Sequence, residues 1–498
     1  MIHAVAPLAI AVAAAAEVSI DAVFDAEIRA AEVVAFDAAS SHAIVAADDR
    51  LVAVRLAPGG LEDAWAIEAD DAAPGLAPGA TFTHAVSDPS GRGVVAAVVR
   101  PARFAHRKGR VVFIAAATGE VLGDAPVGYG PDAAAFSPDG NLLVVANEGE
   151  FEIGPGGVTD PPGSVSIIEI PPAMEAVAKA TTHDVPLRAA AGLRIHPRNA
   201  ATPELDLEPE YVAILGRRAF VSLQENSAVA VIDLDRREQT GLLPLSPVRR
   251  AIDPSDRDGT RDADVEVMAW PMPDQLAAFS HDGRDYLVLA EEGDDRGDLG
   301  DHPLADAARL SDLRKAGRLG PRSLERLREE PRLERLEVCA FSGDTDGDGL
   351  IDEPHALGAR GVAVIDIESG QRADAFDRNY LRALPPSLYH SSAPELEFDS
   401  RSDNRGAEPE GVVIGEAHGR RLAFVTFERP GLLLTLDLTD PSSPRSLSLT
   451  LPGHIESYGP EGMCFIPAAS SPLGEPTVLV ACEASGRLVA YQVRPPTR

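Results

Sequence analysis

The stretch "GPDAAAFSPDGNLLVVANEGE" (130–150) holds two short apolar runs around a Pro-Asp-Gly turn, each marked by an acidic residue at one end. In its first half an acid that follows proline enters a strand-like run. In its second half a Val-rich run ends on another acid. The first half returns as "AEVVAFD" (31–37), "EPEYVAIL" (208–215), "MPDQLAAFS" (272–280), "EPEGVVIG" (408–415) and "GPEGMCFI" (459–466). The second half returns as "HAIVAADD" (42–49), "AFVSLQEN" (219–226), "YLVLAEEGD" (286–294), "LAFVTFER" (422–429) and "TVLVACEA" (477–484).

A third run commonly follows, as in "GSVSIIEI" (163–170), "SAVAVIDL" (227–234), "GVAVIDI" (361–367), "GLLLTLDL" (431–438) and "GRLVAYQV" (486–493). The segment "THAVSDPSGRGVVAAVVRP" (83–101), with "GRVVFIAAATGE" (109–120), keeps the rhythm without the leading acid. Alternating Val, Ile, Leu and Ala between Gly, Pro and Asp turns is the strand pattern. Seven units of three or four antiparallel strands predict an all-β, seven-bladed β-propeller over residues 17–498, because radial repetition protects the sheet edges. The run "EVSIDAVF" (17–24) is expected to close the ring on the last blade. Separate β-sandwiches would not explain why the same acidic position recurs.

Long insertions interrupt this frame at 171–207, 235–271, 291–357 and 377–407. Within the third, residues 303–336 read as helical, with Leu304, Leu310, Leu313, Leu324, Leu327 and Leu336 spaced among Arg and Glu. Loops of this length are usually functional or packed across one face. They are expected on the face where the innermost strands begin.

The chain has 78 acidic and 45 basic residues, for a formal charge of −33. That balance disfavours nucleic acid and anionic membrane as partners, which need clustered Lys and Arg, and favours a divalent cation. Cys339, Cys464 and Cys482 lie in apolar runs and read as buried thiols. Residues 1–16, "MIHAVAPLAIAVAAAA", fit a signal peptide or apolar leader, with Ala14 and Ala16 placed for cleavage but no leading Lys or Arg. Export to the periplasm or the cell exterior is the expectation, with a cytoplasmic location left open. No later segment is long and apolar enough to span a membrane as a helix.

In a propeller the first strand of each blade lines the central channel. Asp132, Glu210, Asp274, Glu410 and Glu461, at the strand entries, are therefore expected to converge with Glu148, Glu225 and Glu292 in an acidic funnel. Close carboxylates repel unless protons or a cation neutralise them, and calcium accepts six to eight oxygens in flexible geometry. The alternative is that each acid caps its own turn. A second calcium-type site is read in "FSGDTDGDGLIDEPHALG" (341–358): Asp344, Asp346, Asp348, the Leu350 carbonyl, Asp352 and Glu353 follow the spacing of a calcium loop, with Gly349 at the tight turn. His355 stands where the closing Glu belongs. A third acidic loop, "IDPSDRDGTRDAD" (252–264), offers Asp253, Asp256 and Asp258, although Arg257 and Arg261 could neutralise them instead. The chain contains no HExxH, GxSxG or GxxxxGK[ST] motif.

Taken together, "FSPDGNLLVVANEGE", "VSLQENSAVAVIDL", "DPSDRDG", "LVLAEEGDDR", "GDTDGDGLIDEPHALGARG", "FDSRSDNRGAEPEGV" and "GPEGMCFIPAASSPLGEPTVLVACEASG" resemble the choice-of-anchor I domain family, which includes mesenchyme-specific cell-surface glycoproteins. The resemblance implies a secreted or surface-displayed propeller, often followed by an anchor; here the last blade is expected to run straight to "YQVRPPTR". It also implies a distant similarity to phosphatase- and phytase-like propellers. The favoured function is a calcium-binding extracellular module that engages matrix or mineral. The runner-up is a calcium-dependent phosphoesterase acting on a phosphate-bearing small molecule, with Arg296, Arg401, Arg405 or Arg429 gripping its oxygens.

Overall fold

A computed structural model describes residues 9–10, 18–296, 299, 302–376, 379–392, 394–450 and 457–495. Its strands form antiparallel four-stranded meanders that follow one another along the chain. The first takes Val33–Asp37, His42–Ala47, Arg50–Ala57 and Gly60–Glu68; the next runs from Thr81–Ser87 to Val121–Tyr129. Further meanders begin at Pro131–Phe136, Pro209–Leu215, Leu276–His281, Pro409–Ala417 and Pro460–Ile466. The meander that begins at Pro460 takes its fourth strand from the N-terminal end of the chain: Ser19–Glu27 pairs antiparallel with Arg487–Arg494, from Ser19 opposite Arg494 to Glu27 opposite Arg487. Val18 and Ile20 are buried there, so the ring closes through hydrogen bonds and apolar packing together.

The first strands of successive sheets touch in a closed cycle, and the first of them also touches the last. Val33, His84, Ala134, Tyr211, Leu276, Val412 and Met463, one from each first strand, line a single cavity of ≈ 300 Å³. This is the central channel of a β-propeller. The apolar core lies between neighbouring sheets, as where Val33, Ala35, Ile44 and Ala46 meet Phe82, Ala85, Val95 and Ala97. Small and β-branched side chains on both faces of a sheet allow such stacking.

The recurring Pro-acid pair has a backbone reason. Pro131, Pro209, Pro409 and Pro460 sit opposite Asn147, Leu223, Phe427 and Cys482, and each is followed by a register shift before pairing resumes at Ala134, Val212, Val412 and Met463. Proline, lacking an N–H, is tolerated at a strand's first position, and a bulge re-aims the side chain it carries. The bulged residues are Asp132, Glu210, Glu410 and Glu461. In the Thr81 sheet the shift falls between Phe82 and His84, so by the same register Phe82 occupies the acid's place, followed by Thr83. The Thr83 hydroxyl donates to the carbonyls of Pro131 (3.1 Å) and Asp132 (2.8 Å) in the adjacent blade. Crowding at the axis explains the glycine after two of the acids: a Cβ on Gly411 would lie 2.2 Å from the Glu461 carbonyl, and one on Gly462 2.7 Å from that of Glu32.

The insertions are shorter than the sequence suggests. Thr181–Pro186 and Glu238–Pro244, read as parts of the 171–207 and 235–271 loops, are the outer strands of their sheets. Both are polar and partly exposed, which removes the alternation that would mark them. The rest of the second and third insertions joins into one added sheet, in the order Val248–Ile252, Val265–Trp270, His355–Leu357, Glu337–Cys339, Ala307–Arg309. The leucine pattern forms helices over Leu310–Lys315 and Pro321–Glu329, and Leu310, Leu313, Leu327 and Leu336 pack on Val265, Val267 and Val338 of that sheet. Ion pairs lock the insertions to one another: Arg194 to Asp306 (2.6 Å), Arg296 to Asp206 and Glu208 (2.9 Å to the latter), and Arg335 to Asp403 (2.9 Å). By their places in the strand order, these insertions lie on the face where the innermost strands begin.

The expected leader, 1–16, lies outside the described residues except for Ala9–Ile10, which pairs with the edge strand Arg445–Thr450. Among the described residues no helix is long and apolar enough to cross a membrane.

Candidate functional site

The bulged acids stand at the entries of the innermost strands, and Glu148, Gln224, Glu225, Glu292 and Glu428 lie immediately beyond the ends of the second strands. Both sets therefore gather at one end of the channel. Carboxylate oxygens of Asp274, Glu292 and Glu410 lie within 4.8 Å of one another, and those of Glu292, Glu408 and Glu428 form a second such group sharing Glu292. The Gln224 amide donates to Glu292 at 2.7 Å. Glu210, Glu225, Asp274 and Glu410 each keep one buried carboxylate oxygen with no hydrogen-bond partner.

Burial pushes the carboxyls of Glu148, Glu210, Asp274, Glu292, Glu410 and Glu461 well above the usual range, and neighbouring carboxylates push the same way. Asp132 is raised to about 6 by burial, with Arg100 opposing. These acids are thus a crowded, desolvated array in which the charged form is disfavoured.

Sequence reasoning did not place Glu32 or Glu428 in this array. Both lie inside the repeated motifs, as the acid of "AEVVAFD" and of "LAFVTFER". Glu32 lacks the preceding proline, yet its N–H donates to the Ala46 carbonyl at 3.0 Å and its carboxyl is raised to about 8 by burial and then by Asp132 and Glu483. The acid position of the motif, without its proline, was the available signal.

Beside the ring opens a cavity of ≈ 350 Å³ lined by Glu148, Glu150, Glu208, Glu225, Asp294 and Asp295 together with Arg100, Arg296 and Arg405. The arginines expected to grip a substrate are held by carboxylates. Arg296 pairs with Asp206 and Glu208, Arg405 with Asp294, and Arg401 and Arg429 with Glu408. Burial alone would push the Glu408 carboxyl up, but Arg401, Arg405 and Arg429 overcome it and hold the group below its ordinary range. Glu408 is therefore a fixed anion and a poor proton acceptor, unlike Glu410 two residues on.

In the 344–353 loop the structure brings together Asp344, Asp346 and Asp348, all exposed. Their carboxylates also cap their own turn: Asp344 accepts from Gly347 (2.7 Å) and Gly349 (2.8 Å), and Asp348 from the Leu350 N–H (2.8 Å). Asp352 turns instead to the Thr345 hydroxyl (2.9 Å), and Glu353 lies 3.9 Å from Arg249. In the 252–264 loop, Asp253 and Asp258 come together with Asp399. Asp256 is drawn away by Arg335, with bonds of 2.8 and 2.9 Å, and so leaves the set the sequence assigned it to. Arg261 does not neutralise the acids; it donates to the Arg382 and Leu384 carbonyls.

Comparison with known proteins supplies the family. Gigasin-3a of Magallana gigas is 25% identical over 202 residues, covering 35% of this chain and 69% of that protein. Among solved structures, hydrazine synthase of Kuenenia stuttgartiensis aligns over 94% of this chain and 96% of that one at 12% identity and a TM-score of 0.48. The WD40 domain of Toxoplasma gondii coronin aligns over 98% and 90% at 9% identity and a TM-score of 0.47. With scores this low the fold rests on the chain's own strand order. The model of the choice-of-anchor I domain matches residues 32–441. Spanning most of the chain and all four insertions, that match makes this protein a member of the choice-of-anchor I domain family.

Proposed function

We propose that this chain is a seven-bladed propeller that serves outside the cell or at its surface as a binding module, with a divalent cation, calcium first, held in its acidic funnel. The closed cycle of first strands supports the blade count, and choice-of-anchor domains are typically cell-surface or extracellular. The observation that carries the cation is the meeting of Asp274 and Glu292, both buried, with half-buried Glu410 within 4.8 Å, leaving unpartnered oxygens on Asp274 and Glu410. Two oxygens on opposite sides of a calcium ion stand about 4.8 Å apart, so the group has the right span. A bound cation would hold all three carboxylates ionised and pin two adjacent blades together. Its remaining coordination positions would take oxygens from an acidic or mineral-bearing partner.

The test is calcium stoichiometry of the purified, chelator-stripped protein by equilibrium dialysis, with Glu410→Gln beside wild type. Loss of at least one bound calcium in the variant supports the reading; equal stoichiometry removes the funnel as a cation site. A phosphomonoester assay on the same samples addresses the phosphoesterase alternative. The capture of Arg296, Arg401, Arg405 and Arg429 by carboxylates disfavours it, and turnover that vanishes in Glu410→Gln would restore it.

A further inference from the structure

We propose that Asp253, Asp258 and Asp399 form a second, structural divalent-cation site, distinct from the funnel, that fastens the loop around Asp399 to the segment 252–258. Oxygens of the three carboxylates lie within 4.8 Å of one another, the same span that suits a calcium ion. Asp253 is fully buried and Asp399 is 1% exposed. Neither oxygen of Asp399, nor one of the two on Asp258, has a hydrogen-bond partner. A buried carboxylate with both oxygens unsatisfied is costly unless something binds it.

Protein cations do not fill that role. Arg332 approaches Asp258 only to 3.7 Å and is committed to Glu330 (2.8 Å) and Asp264 (2.9 Å). Arg360 spends its guanidinium on the carbonyls of Asp253, Ser402 and Asn404. Tyr389 donates its hydroxyl to Asp253 at 3.1 Å, which orients that carboxylate but adds no positive charge. Burial and then Asp258 raise the Asp253 carboxyl to about 6, and burial, with Asp253 and Asp258 contributing after the Ser402 hydroxyl opposes, raises that of Asp399 to about 8. The donors are all carboxylate oxygens, which select a hard cation over zinc or copper, and a dehydrated site favours calcium over magnesium.

The two halves of the site are about 140 residues apart in the chain, so a bound ion acts as a cross-link between insertions. The site shares no residue with the funnel, and either can fail without the other. In the full chain, Asp399→Asn should bind one calcium fewer than wild type, Asp256→Asn should bind the same number as wild type, and Asp399→Asn/Glu410→Gln should lose the funnel ion as well. Calcium at a hundred times its Kd should slow hydrogen exchange of wild-type segment 394–403 by about 100-fold. That protection should persist in Glu410→Gln and disappear in Asp399→Asn. Equal calcium stoichiometry in wild type and Asp399→Asn overturns the proposal. So does calcium that leaves exchange at 394–403 unchanged in wild type, a result that does not depend on any variant folding.

Discussion

Glu32→Gln isolates the electrostatic cost of the acidic ring in one side chain. In the folded protein burial and the neighbouring Asp132 and Glu483 raise the Glu32 carboxyl from 4.5 to about 8. Between those values the folded chain keeps a proton that the unfolded chain has released, so folding becomes less favourable as pH rises. The contribution is fully present below pH 4.5 and is lost as pH climbs through about 8. At about 1.36 kcal/mol per pH unit, the interval is worth about 5 kcal/mol. Glutamine keeps the shape and hydrogen-bonding capacity and cannot ionise. Urea denaturation in chelator at half-unit steps from pH 5 to 8.5 should show wild type losing several kcal/mol more than the variant, with the two curves close together at pH 5. Parallel curves over the whole range would refute the reasoning, because Glu32 would then be ionised in the fold without penalty.

Arg296→Met strips the guanidinium from buried Asp206 and Glu208; leaving both carboxylates unpaired should cost about 3–5 kcal/mol, read as a lower denaturation midpoint at pH 7. Gly411→Ala puts a methyl 2.2 Å from the Glu461 carbonyl and should cost about 1–3 kcal/mol, with changed near-UV circular dichroism if the ring must shift. Ile20→Asp buries a charge in the seam where Ser19–Glu27 closes the last sheet; the expected result is faster proteolysis confined at first to that strand, and unchanged cleavage would count against ring closure there.

The strands that line the channel were legible because their chemistry repeats. Pro131, Pro209, Pro409 and Pro460 each precede a bulged acid, and the same backbone demand writes the same letters four times. Outer strands were not legible: "TTHDVP" and "EQTGLLP" face solvent and carry no apolar alternation. The acidic loop at 344–353 drew notice by density of aspartate, yet its carboxylates are exposed and cap their own turn. Asp399 drew none, because nothing local marks an aspartate whose partners lie about 140 residues earlier.

The sequence by itself determined the repeat, the β class, the closing strand and the acidic strand entries, since each follows from local periodicity and turn chemistry. Tertiary structure alone decided which carboxylates meet. It set Glu32 beside Asp132 and Glu483, drew Asp256 to Arg335 and Asp399 to Asp253, and enclosed Glu408 among Arg401, Arg405 and Arg429 while leaving Asp274 and Glu410 with unpartnered oxygens. The physical reason is that a carboxylate's state depends on desolvation and on charges a few ångströms away, and those neighbours come from blades and insertions far apart in the chain.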